Sequence, residues 1–172
     1  MFDVIHVAPP WGTMHKVPGM SAEDLALLPV WMVAAPNAAL FLWVPASLKY
    51  QAGQVFSQWG FRYVTTIYWD RPVPGAGKWF KPTVEELLVC IKGDVAPFGC
   101  QRANRIGTPP EAGGGKPRAF LKLIEAATAK MVPGRRLAIF EEEAVPGWQT
   151  VGRRGAADAL RVLARQHVRS YR

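Results

Sequence analysis

Four consecutive residues, Ala8-Pro9-Pro10-Trp11, follow directly on the short apolar run 2–7. Each proline has a fixed φ and no N–H, so the pair can hold its carbonyls rigidly toward a ligand. The indole of Trp11 offers a flat face on which a nucleobase could stack. The same residues equally suit a rigid strand exit with the indole packed into the core. Lys116 follows Gly113-Gly114-Gly115 and precedes Pro117, which favours the first turn of a helix. A lysine there could reach a phosphate or carboxylate at the helix N-terminus, or it could be a solvated lysine on a flexible loop. The segment 75–81 interleaves Lys78, Trp79, Phe80 and Lys81. That mixture suits phosphates and unstacked bases, or a loop anchored to the core by its two rings. Arg161, Arg165 and Arg169 recur at i, i+4 and i+8. They form one basic stripe, either a phosphate-tracking surface or a solvated helix face.

Other chemistry is less well provided for. The run Glu141-Glu142-Glu143 has no His or Cys beside it in sequence and reads as a solvated or cation-paired loop rather than a metal site. His6 and His15 flank the Pro-Pro-Trp segment, but neither has a paired acid or nucleophile nearby in sequence. No metal is expected. The glycine run is not a dinucleotide fingerprint, because G-x-G-x-x-G after a strand is absent. Two cysteines, Cys90 and Cys100, cannot build a disulfide-dense scaffold or a four-cysteine zinc site. Cys90 falls inside an apolar run and reads as a small buried hydrophobe. Lys+Arg 21 against Asp+Glu 13 leaves a net charge of +8, which favours an anionic partner such as nucleic acid. No apolar run approaches the ~18 residues of a membrane span, and residues 1–11 have no basic flank typical of a signal peptide. A cytoplasmic protein with reduced thiols is the expectation.

The elements that must position these residues alternate in type. Runs 2–7, 39–44, 61–69, 86–92 and 136–140 read as strands. Ser21 with Asp24 caps a helix over 22–28, and Pro45 opens another carrying Leu48, Ala52, Val55 and Phe56 on one face. Phe120, Leu123, Ile124 and Ala127 follow helical spacing, as does the segment 156–168. Continuous apolar strands between helices predict a mostly parallel α/β sheet covered on both faces. Ligands of such sheets bind at the carboxyl ends of strands, which is where Ala8-Pro9-Pro10-Trp11 falls.

Taken in order, the blocks FDVIHVAPPW, ALFLWVPASL, VFSQWGFRYVTTIYWD, GAGKWF, EELLVCIKG, GKP and GRRLAIFEEEAVPGWQTVG resemble the MT-A type N6-adenine methyltransferases. These are the relatives of the seventy-kilodalton subunit of the RNA adenosine methyltransferase. The likeness runs from Phe2 to about Arg154. It implies a single Rossmann-like α/β domain over 1–154; beyond the likeness, the helical spacing of residues 155–172 reads as a basic amphipathic helix on or extending that domain. The likeness also implies S-adenosylmethionine as methyl donor and adenine in DNA or RNA as acceptor. In the family motif Asp-Pro-Pro-Trp, the carboxylate and the first proline's carbonyl accept the amine's protons while the tryptophan stacks on the base. By that resemblance the catalytic positions are Ala8, Pro9, Pro10 and Trp11. The cofactor positions are Lys116, Phe140, Glu142, Arg153 and Arg154. Lys78, Trp79, Lys81, Arg161, Arg165 and Arg169 are the nucleic-acid candidates.

The chain departs from the family pattern at several of these positions. Ala8 stands where the motif has aspartate, and Gly115 where it has histidine before Lys116-Pro117. Glu142 stands where relatives carry arginine, and Arg153-Arg154 replace Asn with Glu or Gln. Two expectations follow: a methyltransferase with a reshaped or damaged site, or a non-catalytic nucleic-acid-binding partner of a related methyltransferase subunit in a homo- or heterodimer.

Overall fold

A computed structural model describes residues 1–12, 19–75, 79–100, 102–111, 115–131 and 133–169. Among them, seven strands form one sheet in the order β5-β3-β4-β2-β1-β6-β7. In chain order the elements are β1 (Phe2–Val7), α1 (Ala22–Ala26), α2 (Val30–Val33), β2 (Ala34–Pro45) and α3 (Lys49–Gln58). Then come β3 (Arg62–Asp70), β4 (Val84–Lys92), β5 (Arg105–Gly107), α4 (Ala119–Ala127), β6 (Arg136–Ile139), β7 (Gln149–Val151) and α5 (Ala156–Arg169). A 3₁₀ turn, Ala46–Leu48, joins β2 to α3.

β1 is buried along its whole length because β2 and β6 flank it in the sheet and packed helices cover both of its faces. Its residues therefore face apolar surroundings on both sides, which is why the run carries no polar alternation. One expectation needs refining. The sheet is mostly parallel, yet β4 pairs antiparallel with both β2 and β3. Hydrophobic periodicity is the same for either direction, so only the pairing shows it. The consequence is positional: β3 runs parallel to β1, so the β3–β4 connection emerges at the edge where β1 ends.

Alternate residues of the strands feed two cores. On one side, Ile5, Val7, Leu40 and Leu42 pack against Leu25, Val33, Val55 and Leu160 of the helices. On the other, Val4, Phe41, Trp43, Trp69, Leu87 and Val89 pack against Phe120, Leu121 and Ile124 of α4. Trp43 meets Phe120 edge-on at 4.9 Å and Trp69 at 5.9 Å, the edge-to-face geometry that aromatic quadrupoles favour. Full burial of a ring such as Phe120 stabilises by about 1.5–3 kcal/mol. Helices thus cover both faces of a Rossmann-like α/β sheet, and α5 reaches the first core through Leu160 and Ala164.

Local chemistry sets the helix ends. The Ser21 hydroxyl accepts the Asp24 N–H at 3.0 Å, and Glu23 and Asp24 complement the dipole of α1. The helix stops at Ala26 rather than 28, because Pro29 disfavours helical geometry in the residue before it. α2 then turns straight into β2, whose first residues were hidden in the sequence by Pro36 and Asn37. Cys90 is buried in β4, and burial pushes its thiol pKa up to about 12.

Candidate functional site

The end of β1 is fixed by a small set of backbone bonds. The Ala8 N–H donates to Ile139 O at 3.2 Å, the last rung toward β6 before the two prolines end the ladder. The Trp11 N–H folds back onto Pro9 O at 2.9 Å. Met20 N–H donates to Pro10 O at 2.7 Å, and Gly12 N–H to Met20 O at 2.8 Å. Residues 9–12 are therefore held against 19–20 as a stiff ledge, with one lone pair of the Pro9 carbonyl already used.

Trp11 differs from an open stacking platform. It is 8% exposed, its Nε1–H donates to Trp43 O at 2.7 Å, and its ring packs in the first core. The core-packed alternative accounts for most of this side chain, although part of it still borders a cavity. That cavity, about 490 Å³, is lined by Pro9, Trp11, Trp43, Phe80, Glu85 and Lys116, among others. Trp79 and Phe80 are 94% and 90% exposed, so the rings in the β3–β4 connection are not anchored in the core. Lys81 is exposed beside them, while Lys78 lies outside the described residues.

Inside the cavity, charge is concentrated on three residues that sequence reasoning only partly identified. Lys116 forms an ion pair with Glu85, and Arg71 approaches the same carboxylate at 3.0 Å. The Lys116 ammonium also lies 5.1 Å from the Trp43 ring centre and 5.9 Å from that of Trp69. Arg71 lies 5.6 Å from the Trp69 ring. Lys116 is thus held by one carboxylate and two indoles, three residues before α4 begins, and is not a free lysine on a loop. Glu85, Arg71, Trp43 and Trp69 escaped the sequence reading because they come together only through the pairing of β2, β3 and β4. The one available signal was the alternation of β4, which puts Glu85 on the same side as Leu87 and Val89.

Beneath the cavity lies His6, two residues before Ala8 on the same strand face. It is buried, and its Nε2 accepts the Trp43 Nε1–H at 2.9 Å. Burial, with Lys116 adding a like-charge effect, lowers its pKa to about 4, so the imidazole is neutral. The ring of Trp148 stands edge-on to it at 6.3 Å.

The remaining candidates sit at the ends of β6 and β7, and none of them borders the cavity around Trp11 and Lys116. Phe140 has φ +66, an unusual conformation for a side-chain-bearing residue, and its N–H donates to Val151 O at 2.7 Å. Glu142 Oε1 accepts the Arg153 N–H at 2.8 Å and its carboxylate lies over Gly152. Arg154 is exposed. Burial raises the pKa of Glu141, and Glu143 pairs with Arg118 just ahead of α4. Within the acidic run, Glu143 thus has a cation partner while Glu142 accepts a backbone N–H. On α5, Arg161 pairs with Asp158 at 2.9 Å and Arg165 is exposed, while the Arg169 side chain lies outside the described residues.

The MT-A70 family model matches residues 2–154. The chain is also 27% identical over 145 residues to the Type II methyltransferase M.MunI of Mycoplasma sp. That similarity covers 80% of this chain and 59% of M.MunI, so the chain spans less than two thirds of that relative.

Proposed function

Since the chain belongs to the MT-A70 family, we propose that it is an S-adenosylmethionine-dependent methyltransferase that modifies the N6 amine of adenine in DNA or RNA. The observation that carries this reading is the cavity at the end of β1, where Pro9 and Trp11 meet Trp43, Glu85 and Lys116 below the exposed Phe80. Its volume of about 490 Å³ is ample for one base, and a base in a duplex would have to be flipped out to enter. The rings of Trp79 and Phe80 offer the stacking surface that Trp11, largely buried, gives only in part. Lys81 and the α5 arginines supply cationic contacts for the backbone.

The methyl donor carries a sulfonium cation, and the site already stabilises a cation: two indoles and a carboxylate hold the Lys116 ammonium. By resemblance, the donor's ribose and amino-acid end fall to Lys116, Phe140, Glu142, Arg153 and Arg154. Lys116 is paired with Glu85, and Glu142 is engaged with the Arg153 N–H. These engagements support weak donor binding, with a dissociation constant above about 10 μM in calorimetric titration. Tighter binding would overturn that reading of Glu142.

The deciding assay is methyl incorporation from labelled S-adenosylmethionine into adenine-containing DNA and RNA, with N6-methyladenine expected as product. A second reading, a non-catalytic nucleic-acid-binding subunit paired with a related methyltransferase, is favoured by Ala8, which has no acceptor for the amine. Silence in the assay with nucleic-acid binding intact would support it.

A further inference from the structure

The carboxylate that position 8 lacks has a counterpart elsewhere on the same face of the sheet. Ala8, just past the end of β1, packs against the cluster that holds Val4, Leu87 and Val89 on the α4 side, and strand alternation puts Glu85 on that side too. β4 lies two strands from β1, about 10 Å at ordinary strand spacing. A cavity bridges that gap, lined by Pro9 and Trp11 at one side and by Glu85 and Lys116 at the other. Among the described residues, Glu85 is the one acidic side chain in the lining. Its side chain is 15% exposed and is gripped by Lys116 on Oε2 and Arg71 on Oε1. A carboxylate has about four lone-pair sites, so two remain for a further donor.

We propose that Glu85 is the partner of the adenine N6 amine in this chain and accepts the proton released on methylation. This rests on the adenine reading above. The amine nitrogen bonds to the methyl carbon as the carbon–sulfur bond of the sulfonium donor breaks, its electron pair remaining on sulfur. The proton then leaves nitrogen for a Glu85 oxygen and is later returned to water. Lys116 and Arg71 are positioning residues that hold the carboxylate toward the cavity.

Short single-stranded oligonucleotides carrying one adenine, or purine without the amine in its place, separate recognition from catalysis. The unmodified protein is expected to bind the adenine strand about tenfold more tightly, as a hydrogen bond to a charged group implies. Glu85→Gln, which keeps the shape and removes the charge, should bring the two affinities within about threefold. It should also slow methyl incorporation by about 10²–10³. Adding Ala8→Asp to Glu85→Gln should recover incorporation by supplying a second acceptor. A Glu85→Gln protein that discriminates and methylates within threefold of the unmodified chain would overturn the proposal, as would an unmodified chain that ignores the amine. Discrimination that is lost on substitution in a chain that transfers no methyl group would support Glu85 as the amine's partner and overturn the methyltransferase reading instead.

Discussion

His6 shows how one buried side chain ties the site to the stability of the sheet. Its neutral ring accepts the Trp43 indole N–H, and both side chains are buried in β1 and β2 below the cavity. An unfolded imidazole titrates near 6.5 and the folded one near 4, so the unfolded chain takes up its proton first on acidification. The contribution is intact above about pH 6.5, declines as pH falls toward 4, and amounts to about 3 kcal/mol. Urea unfolding at pH 7 and pH 4.5 should show this loss. His6→Gln, which keeps an acceptor for Trp43 but does not titrate, should lose less between the same two pH values. Equal losses in both proteins would remove His6 as the cause. Position 8 was readable as a missing carboxylate in the sequence, whereas Glu85 was one of two adjacent glutamates until the strand pairing set its face.

The ledge 9–12 depends on a glycine. A Cβ on Gly19 would lie 2.4 Å from Gly12 N and 2.5 Å from Pro10 O, inside the two hydrogen bonds that hold the ledge. Backbone atoms cannot swing aside as a flexible side chain can. Gly19→Ala is therefore expected to cost about 1–3 kcal/mol and to weaken whatever binds beside Pro9 and Trp11. Gly53 lies within α3 with nothing near its Cβ position. Gly53→Ala should stabilise by about 0.4–1 kcal/mol, because alanine restricts the unfolded chain without strain in the helix. The midpoints of urea unfolding test both, and shifts in the same direction would contradict the contact geometry. At this scale the strong elements were legible: β1, α4 and α5 carry clear apolar patterns. The three-residue strands β5 and β7 were not, because neither is long enough to show a period.

For the molecule as a whole, the net charge of +8 makes the salt dependence of nucleic-acid binding informative. Each phosphate neutralised adds about 0.9 to the slope of log affinity against log salt on duplex DNA. Replacing Arg161, Arg165 and Arg169 together by Gln should flatten that slope by up to about 2–3 units. The lower end is expected, since Arg161 is partly committed to Asp158. Filter binding across a salt series reads the slope directly. An unchanged slope would make this face of α5 a solvated surface. Among the described residues no helix is long and apolar enough to cross a membrane.

Sequence alone determined the quantities that depend on residue type and near-neighbour spacing. It gave the α/β class, the Pro-Pro-Trp segment at the end of the first strand, the absent carboxylate at Ala8 and the basic surplus. These are local because strand alternation, helical spacing and proline geometry act over a few residues. Tertiary structure decided everything that depends on strand order and direction. It turned β4 antiparallel, buried Trp11 while leaving Trp79 and Phe80 in the open, and brought Arg71, Glu85 and Lys116 together over two tryptophans. Apart from Arg71 over Trp69, those contacts join residues 14 to 73 positions apart. Side-chain period is the same whichever way a strand runs, so the sheet had to pair before the site existed.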